Sequence, residues 1–225
     1  MSSRSVKSLM AAALLVGAVN AQAVMIDFKA AAEPGGLYGE SAWTPFSLLA
    51  DFGIDVQISG VQGGGGAFAY LDANNAGMGV CGNLNPGAPV NTATNSGANL
   101  CDPSNDDNVT SNEALRFTAN ERIVISKIWF NNNHDQDMSL IGDSISVFGD
   151  MHMFQASDLD AARGGDVMYA TPIGLAAGSS GVIAYAGEQF YLSAIEINRV
   201  PEPATLALLG VSLVGLGFAR RRNLH

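Results

Sequence analysis

The sequence predicts an all-β fold, an antiparallel β-sandwich of jelly-roll type, set between two targeting segments. Three observations predict it. Short runs alternate apolar and polar residues with period two, from Ile54-Asp55-Val56-Gln57-Ile58-Ser59 to Ile195-Glu196-Ile197. Stretches rich in Gly, Asn and Pro separate these runs, and helical periodicity is scarce. Alternation buries one face of a strand and wets the other, as antiparallel sheets do.

Along the chain, the first segment carries Arg4 and Lys7, an apolar run from Leu9 to Val19, and Ala21-Gln22-Ala23. A basic start, a short apolar run and a small-x-small site make a secretory signal peptide over residues 1–23. About eleven apolar residues are too few to span a bilayer, which takes roughly 20.

Residues 24–200 then read as one β-sandwich domain. Candidate strands are Met25 to Lys29, Ile54 to Ser59, Phe68 to Leu71, Leu115 to Phe117, Ile123 to Phe130, Ile145 to Val147, Val167 to Ala170, Val182 to Tyr185, Phe190 to Ala194 and Ile195 to Ile197. One helical turn is expected at Ser157 to Arg163, capped by Ser157 and ended by Gly164-Gly165. Gly63 to Gly66 and Gly174 to Gly181 read as loops, and Asn74 to Asn112 as one long insertion. The only two cysteines, Cys81 and Cys101, both fall in that insertion. In an exported chain they pair, and closing a loop of that length contributes about 3 kcal/mol.

All but one of the 21 Asp and Glu lie between residues 24 and 200, against only Lys29, Arg116, Arg122, Lys127, Arg163 and Arg199. So acidic a surface repels phosphate backbones and excludes nucleic acid as a partner. It leaves divalent cations and neutral sugars.

The chain closes with Val200-Pro201-Glu202-Pro203, an apolar run from Ala204 to Ala219, and Arg220-Arg221-Arg222. The run rises only about 24 Å as a helix, so it predicts a short single transmembrane helix that thins the bilayer or lets its arginines snorkel. The arginines act as a stop-transfer signal and place Pro201-Glu202-Pro203 at the outer interface. Two prolines keep that segment extended and accessible to a protease. This tail resembles the PEP-CTERM sorting signal. The resemblance implies export by the Sec machinery, transient residence in the inner membrane, recognition by an exosortase, and removal of residues 201–225. It implies delivery to the cell surface or the extracellular matrix of a bacterium making exopolysaccharide. Gly79-Val80-Cys81, Asp107-Asn108-Val109-Thr110 and Glu113-Ala114-Leu115 also resemble segments of other PEP-CTERM proteins, and imply no activity.

Within the domain, oxygen-bearing residues recur at the ligand spacing of a twelve-residue calcium loop: Asp102, Ser104, Asp106, Asn108, Thr110 and Glu113. Ca²⁺ takes six to eight hard oxygens, and alternate residues of a curled loop supply them. Asp102, Ser104, Asp106, Asn108 and Glu113 are therefore candidate calcium ligands, although Asp107 stands where an EF-hand has Gly. His134, beside Asp135 and Asp137, and Trp43, in a polar stretch, are candidate ligand-binding residues. No nucleophile elbow, zinc-binding histidine pair or phosphate loop is present. Asp143, Asp150 and Glu188 could serve a glycosidase, but nothing selects a pair. The expectation is a non-enzymatic polysaccharide- or surface-binding module, with a secreted glycan-active hydrolase as the alternative.

Overall fold

The alternating runs become strands of one curled antiparallel sheet. The computed structural model describes residues 23–134 and 139–200. The predicted signal segment before Ala23, residues 135–138 and the tail from Pro201 lie outside the described residues. Among the described residues no helix is long and apolar enough to cross a membrane.

The strands of the first half are β1 (Ala23–Asp27), β2 (Ser41–Trp43), β3 (Phe46–Ser47), β4 (Val56–Gln62), β5 (Gly65–Asp72), β6 (Gly77–Cys81) and β7 (Glu113–Ala119). The second half supplies β8 (Ile123–Asn131), β9 (Ser144–Val147), β10 (Asp150–Met153), β11 (Leu159–Asp160), β12 (Asp166–Tyr169), β13 (Ile173–Leu175), β14 (Ser179–Tyr185) and β15 (Tyr191–Arg199). Their order across the sheet is β10-β9-β14-β7-β4-β5-β6-β15-β8-β12-β11. Strand β5 carries the chain between two arms: Gly65 to Ala67 pair with β4, and Phe68 to Asp72 pair with β6. Val56, Ile58, Phe117 and Ile183 of one arm share a single buried cluster with Ile128, Phe130, Leu192 and Ile195 of the other. Fully burying each such side chain contributes about 1.5–3 kcal/mol.

Several expectations change. The first strand stops at Asp27, whose carboxylate accepts the Ala30 amide at 3.0 Å and caps a one-turn helix, Phe28–Ala32, that takes Lys29 out of the sheet. Only Gly63 and Gly64 form the turn between β4 and β5, both at positive φ (57° and 82°). Such paired positive φ values match the twist of the strands they join, and Gly65 and Gly66 enter β5. The expected loop at 174–181 likewise contributes to β13 and β14.

The single turn expected at 157–163 is two short 3-10 turns, Ala156–Asp158 and Ala161–Arg163. Gln155 rather than Ser157 caps the first, in a reciprocal box with Asp158, and Gly164 closes the second at positive φ as expected. The insertion at 74–112 is broken by β6, every residue of which is buried. Gly-Met-Gly-Val-Cys is covered on both faces, so it carries no alternation to read.

Candidate functional site

Register places a polar group on the side of the sheet away from the core. Leu71, Met78, Leu192 and Phe130 lie in one row across β5, β6, β15 and β8 and point into the core. Their neighbours Tyr70, Asp72, Tyr191, Ser193 and Asn131 alternate to the opposite face, yet all are buried. The cover is the insertion after β6. Cys81 and Cys101 are bonded, with Cα atoms 5.9 Å apart. They pack with Ala42 and Tyr70, and with Phe68, Leu84 and Leu100, as a small second core. Gly79 lets the backbone beyond the disulfide lie on β6, because a Cβ there would sit 1.9 Å from the Asp107 carbonyl oxygen.

This stacking brings Asp107 over Tyr191 and Asp72. The Tyr191 hydroxyl donates to Asp107 Oδ1 at 2.6 Å, and Asn99 Nδ2 donates to Asp107 Oδ2 at 2.7 Å. Asp72 ends β5, and its Oδ2 lies 2.8 Å from His134 Nδ1. The other imidazole nitrogen, Nε2, lies 3.3 Å from the Asn74 carbonyl oxygen. Among the described residues, ligand atoms of Asp72, Asp107 and His134 all come within 4.8 Å of one another.

Electrostatics follow from burial. The contact with Asp72 raises the His134 pKa to about 9, against an opposing desolvation. With oxygens facing both ring nitrogens, an imidazolium satisfies both as donors. Burial, then the charge of Asp72, pushes the Asp107 carboxyl above its usual range. Burial first, with the charges of Asp72 and Asp107, holds the Tyr191 phenol well above its usual range, so it stays a donor. Next to this group, burial raises Glu40 to about 7 while the Tyr70 hydroxyl, 2.6 Å away, pulls the other way.

The group borders a cleft of about 340 Å³ lined by Ser104, Asn105, Asp107, Asn108, His134, Gln189 and Tyr191. Asn108 donates to Gln189 Oε1 at 2.8 Å, while its own Oδ1 is buried without a hydrogen-bond partner.

The candidates read from sequence are dispersed by this arrangement. Ser104, Asn108 and His134 line the cleft. Asp102 is exposed, and Asp106 accepts the Gly82 amide at 3.0 Å. Glu113 is buried, with one oxygen taken by the Thr110 amide and hydroxyl and the other by Gln62. Burial raises its pKa against those hydrogen bonds. Asp102, Asp106 and Glu113 thus stand outside the Asp72–Asp107–His134 group, as do Asp143, Asp150 and Glu188. Trp43 packs edge-on against Tyr38 and Phe46 at 5.4 and 5.3 Å, and its indole N–H donates to Ser41 Oγ at 2.8 Å. Asp72 and Asp107 carry no local motif. The one signal for Asp72 was parity, since it shares a strand face with Tyr70 opposite Ala69 and Leu71.

Of the tail, Val200 is the last described residue, and Pro201, Glu202, Pro203 and Arg220, Arg221 and Arg222 lie outside the described residues. Residues 199–222 match the PEP-CTERM protein-sorting motif. No curated protein and no solved structure matches the chain significantly.

Proposed function

We propose, from the PEP-CTERM sorting motif that this chain carries at residues 199–222, that it is an exosortase substrate delivered to the cell surface or matrix, where its β domain acts as a non-catalytic polysaccharide-binding module. The sorting motif is the observation that carries this reading. It begins at the last residue of β15, so the cutting site follows directly on the folded sheet. The Sec machinery and the exosortase are the partners in transit, and exopolysaccharide is the partner at the destination. On this reading the two arms of the curled sheet serve as the two layers of a jelly-roll-like sandwich. The cleft supports binding, because its amides, hydroxyls and tyrosine suit a ligand rich in hydroxyl groups.

Changing Glu202 to Ala leaves export intact and holds the protein in the inner membrane with its tail uncut. Cell fractionation with mass measurement reads this out, and a variant that matures normally and reaches the surface refutes the sorting reading. A polysaccharide panel scored for retention tests the domain.

One observation favours a glycan-active hydrolase as a second reading: Asp72 and Asp107 bring a carboxylate pair to the edge of the cleft. Against it, both carboxylates are buried, and Asp107 has each oxygen occupied. Product release from the same panel, lost in Asp107→Asn, would select the hydrolase.

A further inference from the structure

We infer that Asp72, Asp107 and His134 form a binding site for one divalent transition-metal ion, of which Zn²⁺ is the best-suited probe. The inference stands apart from the sorting reading and from whether the cleft holds a polysaccharide.

The donor set comes first. One imidazole nitrogen and two carboxylates suit Zn²⁺ or Mn²⁺, whereas Ca²⁺ prefers oxygen alone. Spacing is compatible: ligands of a tetrahedral ion at about 2.0–2.2 Å stand roughly 3.4 Å apart. The three ligand atoms lie within 4.8 Å of one another, with His134 Nδ1 and Asp72 Oδ2 2.8 Å apart. The His134 side chain lines the cleft and is 30% exposed, so an ion can reach the group from solvent.

The outer partners are a second and independent indication. Metal-bound histidines usually donate their other ring N–H to a carbonyl or carboxylate, which sets the tautomer. His134 Nε2 faces the Asn74 carbonyl in this way, aiming Nδ1 at the two acids. Asp107 is oriented by Tyr191 and Asn99.

A third indication is what is missing. Asp72 is 2% exposed, and beyond the contact with the His134 imidazole its Oδ2 accepts no hydrogen bond. Burying a carboxylate oxygen with so little compensation is costly. An ion between the three residues satisfies it, and the open side of the cleft admits water as a fourth ligand.

The test uses the full chain, purified in detergent, stripped with chelator and dialysed against Zn²⁺. One Zn²⁺ per chain is expected, and Co²⁺ in its place gives the intense visible absorption of a four-coordinate site with a nitrogen ligand. His134→Gln weakens Zn²⁺ binding by more than about 100-fold, and Tyr191→Phe, which touches only an outer partner, by about 10-fold. Circular dichroism establishes that each variant is folded, and the Co²⁺ spectrum of the unmodified chain needs no variant. Three results overturn the inference: no stoichiometric Zn²⁺, undiminished binding in folded His134→Gln, or a preference for Ca²⁺ whose loss maps to Asp102 and Glu113.

Discussion

Tyr70 shows what a single residue carries beneath the insertion. Its hydroxyl donates to Glu40 Oε1 and accepts the Leu100 amide at 2.8 Å, all on the buried outer face of the sheet. Tyr70→Phe keeps the ring and strands both partners, and an unsatisfied buried polar atom costs about 1–3 kcal/mol. The expected loss is about 2–4 kcal/mol in urea denaturation. Glu40→Gln keeps an acceptor for Tyr70 and gives up chiefly the Ala73 contact, so it costs about 1 kcal/mol. At this scale the sequence was least readable. The oxygen spacing at 102–113 is that of a coordinating loop, and in the fold Asp106 accepts the distant Gly82 amide while Glu113 accepts Thr110 within its own turn. Trp43 looked available and is engaged by its own neighbours. Parity alone points to Asp72, because its partners arrive from β15, from beyond the end of β8 and from the covering insertion.

Elements were easier to read where one face met water. In β15, Ile195 and Ile197 are fully buried while Glu196 points outward to Ser126 and Lys127 on β8. The Ser126 hydrogen bond, and then Lys127, hold the Glu196 carboxyl below its usual range. A depressed acid stabilises the fold above its unfolded pKa and loses that contribution as pH falls through the folded value. Urea melts of the native chain and Glu196→Gln should therefore differ at pH 6 and converge as pH falls below about 4.5. A constant gap across that range contradicts the assignment. Strands such as β2, β3 and β6 are short or covered on both faces, where periodicity gives no contrast. Strand β12 was still found, since Val167 and Tyr169 alternate with the less buried Met168.

For the whole molecule, the Cys81–Cys101 bond joins β6 to the segment that covers the outer face. Replacing both cysteines with alanine should cost about 3 kcal/mol. Hydrogen exchange should then rise first in residues 82–100 and at the Leu100 amide, while the β8–β15 ladder stays protected. Uniform loosening of the sheet instead would mean that the bond braces the core and not its cover. Strand β15 has β8 along one side and β1 and β6 along the other. Tyr191, at its first residue, borders the cleft, and Arg199, at its last, begins the sorting motif. Tension applied between Tyr191 and Arg199 would therefore run along this one strand, at right angles to hydrogen bonds that run across it. Such tension shears both ladders at once and does not peel them bond by bond, so β15 resists it as a mechanical strut.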